Sequence, residues 1–160
     1  MATSLIYKTN GLYILLSDRG EQSYTFHWAL YLHQSTNSGF IYDLINEANS
    51  TSWRFNQQTG QDARAFQRIL VALKIGDLDP ALHRSLLDRL KEIPIAYSTR
   101  FHESITCRVW LKEALFALDD EGYIMLAKSV NEIETEATTL AMQNKTLGKQ
   151  TVSRSVGSQA

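Results

Sequence analysis

The segment from Tyr24 to Leu32 constrains the fold most, because large apolar side chains recur along it at every second position. They are Tyr24, Phe26, Trp28, Leu30 and Leu32. Alternation with a period of two is typical of a β-strand that buries one face. The opposite face carries Thr25, His27, Ala29, Tyr31 and His33. The segment therefore predicts a strand that holds a histidine, His27, on a rigid element.

Four further apolar runs predict additional strands. They cover residues 12–16, 40–45, 52–55 and 68–75. Turn-forming residues at 17–20 close the first run, and the polar residues at 34–39 predict a loop before the second run. Gly76 ends the last run. The first half of the chain is therefore predicted to form a set of strands joined by short connections.

The second half of the chain changes to helical periodicity. The pair Asp79-Pro80 predicts a helix start, because aspartate caps a helix and proline suits its first position. Three leucines then follow on one face, at Leu82, Leu86 and Leu90. Pro94 lies beyond the end of this helix.

Two more helices are predicted further along the chain. Thr106 precedes an apolar face that continues until Gly122. That face consists of Cys107, Trp110, Leu111, Ala114, Leu115 and Leu118. Ser129 and Glu132 form a capping box, which predicts a third helix that reaches about Asn144.

Strands come first along the chain and helices last. That order indicates an α+β domain in which an antiparallel sheet packs against helices. The 160 residues, 44% of them hydrophobic, suffice to bury one core, and we expect a single domain over residues 1–143. Residues 144–160 carry three basic side chains and no acid among mostly small and polar ones. We expect them to form a disordered, basic tail.

Charge and hydropathy exclude several classes of protein. The net charge is −1, whereas a nucleic-acid-binding surface is normally basic, so we expect no nucleic-acid partner. No apolar run approaches the ~20 residues that a membrane helix needs, so we expect no integral membrane segment. The first residues lack the basic-then-apolar order of a secretory signal, and we expect a soluble, cytoplasmic protein. No metal-binding motif is present in the sequence, and we expect no metal or organic cofactor.

Cys107 is the one cysteine of the chain, and it follows a residue, Thr106, that can cap the second helix. In the first turn of a helix, unbonded backbone N–H groups and the positive end of the helix dipole favour a thiolate. The same N–H groups can stabilise an oxyanion that forms when the sulfur attacks a carbonyl. Arg108 adds positive charge nearby. The alternative is a buried core thiol, because Cys107 lies on the apolar face of the helix.

A nucleophilic cysteine needs a base, usually histidine, and often a third polar group that orients the imidazole. His27 is the first candidate for the base. Asp43 interrupts the apolar strand at 40–45 and can reach the second nitrogen of His27 if the two strands pair. His102, five residues before Cys107, is the competing base. The alternatives are a solvent-facing histidine and an aspartate that pairs with an arginine.

Two motifs, taken together, resemble the lecithin–retinol acyltransferase-like proteins. The first is FHWALYL at 26–32, which is similar to the family's strand reading His-Trp-Ala/Gly-aliphatic-Tyr. The second is TCRVWLKEAL at 106–115, which is similar to the segment in which a cysteine opens a long amphipathic helix. Between them, Asp43 stands where the family's next strand carries a third polar residue, usually histidine.

The resemblance covers roughly residues 12–122 and implies a circularly permuted papain-like arrangement, with the base first in the chain and the nucleophile last. It implies that His27 is the catalytic base, that Asp43 orients it and that Cys107 is the nucleophile. The sequence departs from the family at Thr106 and Arg108, where the family usually has asparagine and a short acid or amide. We also expect no C-terminal membrane helix of the kind that many lipid-acting relatives carry.

The expected function is that of a cysteine-dependent acyl-transfer enzyme: a hydrolase, peptidase or acyltransferase. Its substrate would be a small-molecule, lipid-like or peptide ester, thioester or amide, contacted by Trp28, Tyr31 and Trp110. An ordinary place in the core is the alternative for each tryptophan. We expect an imidazole nitrogen of His27 within ~4 Å of the Cys107 sulfur. Two other functions fit the same residues: an isomerase or cyclase that uses this site, and a non-catalytic binding module.

Overall fold

The computed structural model describes residues 6–20, 25–36, 38–46, 52–59 and 68–159 of the chain. A six-stranded sheet has the strand order β4-β3-β2-β1-β5-β6. The strands are β1 (Gly11–Asp18), β2 (Phe26–Ser35), β3 (Ser38–Asn46), β4 (Trp53–Thr59), β5 (Ile69–Asp77) and β6 (Thr151–Arg154). Neighbouring strands are antiparallel except β5 and β6, which run parallel. The five predicted strands are confirmed, although Tyr24, where one was expected to start, lies outside the described residues.

Within the described residues, three helices follow the first five strands. They are α1 (His83–Lys91), α2 (Cys107–Asp120) and α3 (Val130–Leu147). At the start of α2 the Thr106 side chain accepts a hydrogen bond from the backbone N–H of Val109, and at the start of α3 Ser129 accepts one from Glu132. These caps confirm both predicted helix starts. A mostly antiparallel sheet with packed helices confirms the α+β class.

The predicted start of the first helix is correct, but its first turn is not α-helical. Asp79 accepts a hydrogen bond from the backbone N–H of Ala81 at 2.8 Å, and a short 3-10 turn, Pro80–Leu82, precedes α1. Leu86 and Leu90 are buried on α1, whereas Leu82 is 39% exposed. Because Leu82 belongs to the 3-10 turn, the predicted stripe of three buried leucines is reduced to two.

The main core lies between one face of the sheet and the helices. To this core β2 contributes the alternating apolar residues that were predicted to share a face: Phe26, Trp28, Leu30 and Leu32. A smaller cluster, which includes Tyr13, Ala29 and Tyr31, covers the opposite face. In the part of the chain that the structure describes, no helix has both the length and the apolar character to cross a membrane.

Two predicted strand boundaries need correction. The loop expected at 34–39 is shorter, because β2 extends to Ser35 and β3 already begins at Ser38. Gly76 lies inside β5 instead of ending it. A Cβ atom at Gly76 would lie 2.7 Å from the side chain of Ile124, so the glycine permits a close approach within the strand rather than a turn.

The C-terminal segment differs from the predicted disordered tail. α3 continues beyond Asn144 to Leu147, where Gly148 ends it in the left-handed conformation at φ +66°. The chain then forms β6, which extends the sheet beside β5. The expected domain boundary at residue 143 is therefore wrong, because the segment belongs to the same domain.

The polar composition of the C-terminal segment wrongly predicted disorder, because its polar side chains form hydrogen bonds with the rest of the domain. Asn144 is 2% exposed, and its amide donates hydrogen bonds to the Leu70 carbonyl at 2.8 Å and to the Thr151 hydroxyl at 2.9 Å. The Ser155 hydroxyl donates to the carboxylate of Glu136 at 2.6 Å. β6 also pairs with the outer edge of β5, so that the backbone groups of β5 are satisfied and the short β6 becomes the edge strand.

Candidate active site

An opening in the sheet lies between β2 and β3. The two strands stop pairing after Leu30 and Tyr42. Beyond this point β2 continues to pair with β1, and β3 continues to pair with β4. The ladder is therefore open beside residues 26–29 and 43–46. Backbone groups at this opening can bind side chains in place of a neighbouring strand.

His27 and Asp43 face each other across this opening. Asp43 Oδ2 lies 2.7 Å from His27 Nε2, and the aspartate is 2% exposed. Its other oxygen, Oδ1, accepts a hydrogen bond from the side-chain amide of Asn56 at 3.1 Å. Because Asn56 pairs with Asp43 across β3 and β4, the strand register fixes that contact. Asp43 therefore holds the imidazole by Nε2 and leaves Nδ1 available on its other side.

Cys107 reaches the opening from the helical side of the sheet. It is the first residue of α2, and its residue exposure is 2%. The His27 imidazole and the backbone N–H of Trp28 lie close enough to its sulfur to lower the pKa of the thiol. The open ladder explains the second contact, because β3 does not pair with Trp28. The structure thus brings together the three residues predicted as a catalytic group.

Arg19 is a fourth member of the group, and the sequence did not single it out. Its guanidinium Nη2 lies 3.5 Å from Cys107 Sγ. Arg19 directly follows β1, at the turn where Asp18 accepts hydrogen bonds from Gly20 N–H at 2.8 Å and Lys145 Nζ at 2.9 Å. The predicted turn at 17–20 therefore indicated the geometry of this segment but not its proximity to the thiol.

The charges in this group favour a thiolate–imidazolium pair. Burial by itself lowers the pKa of His27, but interactions with Asp43 and Cys107 outweigh burial and raise the pKa from 6.5 to about 9. Burial raises the pKa of the Cys107 thiol, but hydrogen bonds with His27 and Trp28 N–H, together with the charges of His27 and Arg19, lower it overall. The proton is therefore favoured on the imidazole, and the sulfur is favoured as the nucleophilic thiolate.

Arg108 does not supply the positive charge that the sequence suggested for the thiol. Its guanidinium forms hydrogen bonds with the carboxylates of Glu103 and Glu134. The ammonium group of Lys112, on a side chain that is 5% exposed, lies 2.8 Å from Glu134. These ion pairs anchor the start of α2 to α3 and to the preceding loop. Arg108 therefore positions the helix that carries Cys107.

An aromatic cleft of about 500 Å³ gives access to the sulfur from the helical side. Its lining includes Phe26, Trp28 and Trp53 beside Cys107, with Thr138 from α3. Trp28 was predicted to contact substrate, and the structure places it next to the thiol. Because Trp28 is only 3% exposed, it forms a rigid side of the cleft.

Two other residues predicted to contact substrate lie elsewhere. The Tyr31 hydroxyl lies 2.7 Å from Nδ1 of His33 in the cluster on the opposite sheet face. Trp110 is completely buried, with its ring centroid 5.8 Å from that of Phe55. The structure does not bring Tyr31 or Trp110 to the thiol. The competing base His102 is exposed in the loop before α2, so the imidazole that meets Cys107 is that of His27.

A comparison with protein families covers almost the entire chain. Residues 9–155 match the model of DUF6914, a family of unknown function. The chain belongs to the DUF6914 family. No curated protein and no solved structure matches it significantly. The matched span of this DUF6914 protein includes all the residues of the site described above.

Proposed function

We propose that this DUF6914 protein is a cysteine-dependent acyl-transfer enzyme with Cys107 as nucleophile, His27 as base and Asp43 as the residue that orients the base. The observation that carries the proposal is the continuous series of contacts from Asp43 through His27 to Cys107. Three separate elements, β2, β3 and the start of α2, supply these side chains. A thiol that only filled the core would not need beside it an imidazole that is itself held by a buried carboxylate.

The order of these elements supports a permuted papain-like arrangement. The base lies on an early strand, the orienting residue on the next strand, and the nucleophile on the first turn of a later helix. That order is the one in the lecithin–retinol acyltransferase-like proteins, which the two sequence motifs resemble. The mostly antiparallel sheet and the helix packed against it are consistent with this arrangement.

The proposed reaction begins from the thiolate–imidazolium pair. The Cys107 sulfur attacks the carbonyl carbon of an ester, thioester or amide, and the new carbon–sulfur bond pushes charge onto the carbonyl oxygen. That oxyanion would be stabilised by the N–H of Cys107, which lies in the first turn of α2, and by the guanidinium of Arg19. When the tetrahedral intermediate collapses, the bond to the leaving group breaks and His27 gives that group its proton.

The second half of the reaction reverses these roles. His27 removes a proton from water or from an acyl acceptor, which attacks the thioester on Cys107 and releases the thiolate. The aromatic cleft beside Cys107 is the space for the acyl group, because the acyl carbon remains bonded to the sulfur at this stage. Phe26, Trp28 and Trp53 favour an acyl group with an apolar body.

Covalent capture of the acyl-enzyme tests the proposal. The protein is incubated with a panel of activated esters and thioesters, and its intact mass is measured. We expect the mass to increase by one acyl group on Cys107, with loss of the adduct in Cys107→Ser and strong reduction in His27→Gln. His102→Gln is the matched control, because it removes an exposed imidazole, and it should acylate as the wild type does.

The same experiment separates the proposal from its alternatives. A non-catalytic binding module would form no adduct with any member of the panel while its thiol remained intact. An isomerase or cyclase would convert its substrate without a leaving group and without a stable acyl-enzyme. Absence of an adduct from every ester and thioester, in a folded protein with a free thiol, would therefore refute acyl transfer.

A further inference from the structure

A second cleft opens on the sheet face opposite the helices. Its volume is about 690 Å³, and Leu15 and Ile41 are among the apolar residues that line it. His27 and Asp43 line the same cleft. The imidazole is therefore accessible from this side of the sheet, whereas Cys107 lines the aromatic cleft on the other side.

Two arginines and two aspartates line the second cleft, together with His27. Its charged or titratable lining residues are Asp18, Arg19, His27, Asp43 and Arg68. Each carboxylate already has a partner, since Asp43 lies 2.7 Å from the His27 imidazole and Asp18 lies 2.9 Å from the Lys145 ammonium group. Among the described residues, no carboxylate lies within ion-pair distance of Arg19 or Arg68. Within the described part of the chain, Arg19 and Arg68 therefore form no ion pair with a carboxylate, although the charge of Arg68 helps to lower the pKa of Asp18.

Arg19 lines both clefts, so it stands where they meet at the thiol. In the proposed acyl transfer the acyl group stays on Cys107, on the aromatic side. The leaving group must lie next to His27, because it takes its proton from the imidazole. The second cleft is therefore the space for the leaving group and, later, for the acceptor that takes the acyl group.

We infer that the leaving group or the acyl acceptor carries an anion, a carboxylate or a phosphate, which Arg19 and Arg68 bind in the second cleft. This inference rests on the proposed acyl transfer. Guanidinium groups bind both kinds of anion through paired hydrogen bonds. The apolar lining at Leu15 and Ile41 suits a short carbon chain that links the anion to the reacting oxygen, nitrogen or sulfur.

A first experiment measures anion attraction without any acyl transfer. Cys107 is alkylated with iodoacetate, which is anionic, and with iodoacetamide, which is neutral. We expect the ratio of the iodoacetate rate to the iodoacetamide rate at Cys107 to be roughly fivefold to tenfold higher than the same ratio for 2-mercaptoethanol. This ratio should fall as salt is added. Arg68→Gln should lower the ratio at least about twofold.

Arg84→Gln is the matched control for the loss of one positive charge. Arg84 lies on α1, and its side chain is 81% exposed. The control should leave the ratio of alkylation rates unchanged. A ratio at Cys107 equal to that of 2-mercaptoethanol, or one that Arg68→Gln does not alter, would overturn the inference whatever the protein does to esters.

A second experiment identifies the anion. Butyryl thioesters of 3-mercaptopropionate, 2-mercaptoethyl phosphate, the neutral 3-mercaptopropionamide and the cationic thiocholine share one acyl group and differ in the charge of the leaving group. We expect kcat/KM for the carboxylate or the phosphate to exceed that for the neutral amide by roughly tenfold, with thiocholine slowest. The anion with the higher kcat/KM identifies the chemical class of the leaving group or acyl acceptor.

The outcomes of the thioester experiment keep the two proposals apart. Equal rates for anionic and neutral thioesters would refute the anion site while leaving acyl transfer by Cys107 intact. No acylation by any of the four would count against acyl transfer, and the alkylation ratio would then decide the anion site alone. In Arg68→Gln the preference for the anionic thioester should decline toward one, and in Arg84→Gln it should remain.

Discussion

His27→Gln should suppress the nucleophilic form of Cys107 without removing the sulfur. In the wild type the pKa of His27 is raised from 6.5 to about 9 by contacts with Asp43 and Cys107 that outweigh burial. The thiol pKa is lowered because its interaction with His27 and its other contacts outweigh its own burial. Glutamine keeps a polar side chain of similar reach but carries no positive charge. The pKa of the thiol should then rise, because only the Trp28 N–H and the charge of Arg19 still oppose burial.

The expected effect follows from the size of the His27 shift. Each pKa unit corresponds to ~1.4 kcal/mol, so a rise from 6.5 to about 9 represents about 3 kcal/mol in favour of the imidazolium. Asp43 and Cys107 share this energy. If only a third of it, ~1 kcal/mol, comes from the thiolate, the loss of the imidazolium reduces the thiolate population at least about fivefold. A thiol with a pKa of 9 or more is only ~1% ionised at pH 7.

The measurement is the rate of iodoacetamide alkylation between pH 5 and pH 10, followed by intact mass, which reports one site because the chain has one cysteine. The wild type should alkylate well below the pH at which a free thiol does, with a second change near pH 9 when His27 loses its proton. His27→Gln should lose the low-pH reaction, and His102→Gln should keep it. Identical profiles for the wild type and His27→Gln would refute the coupling, as would a thiol that reacts only after unfolding.

Three further outcomes follow from contacts around the site and at the C-terminal end. Asn56→Ala removes the 3.1 Å hydrogen bond to Asp43, so the acylation rate should fall and the pH at which His27 titrates should shift. Asp43→Asn should lower the acylation rate further, by a factor of up to ~10⁴ as in other triads. Unchanged rates and pH profiles in both variants would show that neither residue positions the imidazole. Deletion of residues 148–160 removes β6 and should lower the free energy of unfolding by ~2–4 kcal/mol in urea titrations, and an unchanged midpoint would contradict the docking of this segment. Lys145→Met should remove stability that the Asp18 contact supplies, by ~1 kcal/mol at neutral pH. Lys145 and the Gly20 N–H lower the pKa of Asp18 below 3.8 in the folded protein. The stability from this contact is therefore present above pH 3.8 and is lost as the pH falls through the folded pKa. The difference in free energy of unfolding between the wild type and the variant should narrow in acid.

The strands and helices of this fold were predictable because their signals are local. β2 was evident from alternation alone, since each of its faces is covered by different neighbours. Thr106 and Ser129 indicated helix starts because a capping side chain binds an N–H only three residues away. Signals of this kind survive in a single sequence.

The C-terminal strand was not predictable for the opposite reason. Thr151–Arg154 has no apolar alternation, and it forms a strand only because the edge of β5, about eighty residues earlier in the chain, supplies its hydrogen bonds. Asn144 is buried because it can satisfy the Leu70 carbonyl and the Thr151 hydroxyl together. Composition records how polar a segment is, but it does not record whether those polar groups find partners in the fold.

The residues of the site also fall into those that the sequence indicated and those that it did not. His27, Asp43 and Cys107 were identifiable by residue type and by the resemblance of their motifs. Tyr31 shares a strand face with His27, but four residues of extended chain separate them by ~13 Å, which removes it from the site. Arg19 and Asn56 had no signal of their own, because one lies in a turn and the other is defined only by its register opposite Asp43.

The contact between His27 and Cys107 is not what the alternation along β2 predicts. The alternation along β2 puts His27 on the face away from the helices, whereas Cys107 belongs to the core on the helical face. In a continuous sheet the two side chains would be separated by the backbone. They meet because β2 and β3 stop pairing at Leu30 and Tyr42, which leaves the Trp28 N–H to the sulfur and opens a passage between the two faces. No local sequence pattern indicates that β2 and β3 separate at this point. Their separation brings the core cysteine and the sheet histidine into contact, and it leaves Cys107 facing one cleft and His27 facing the other.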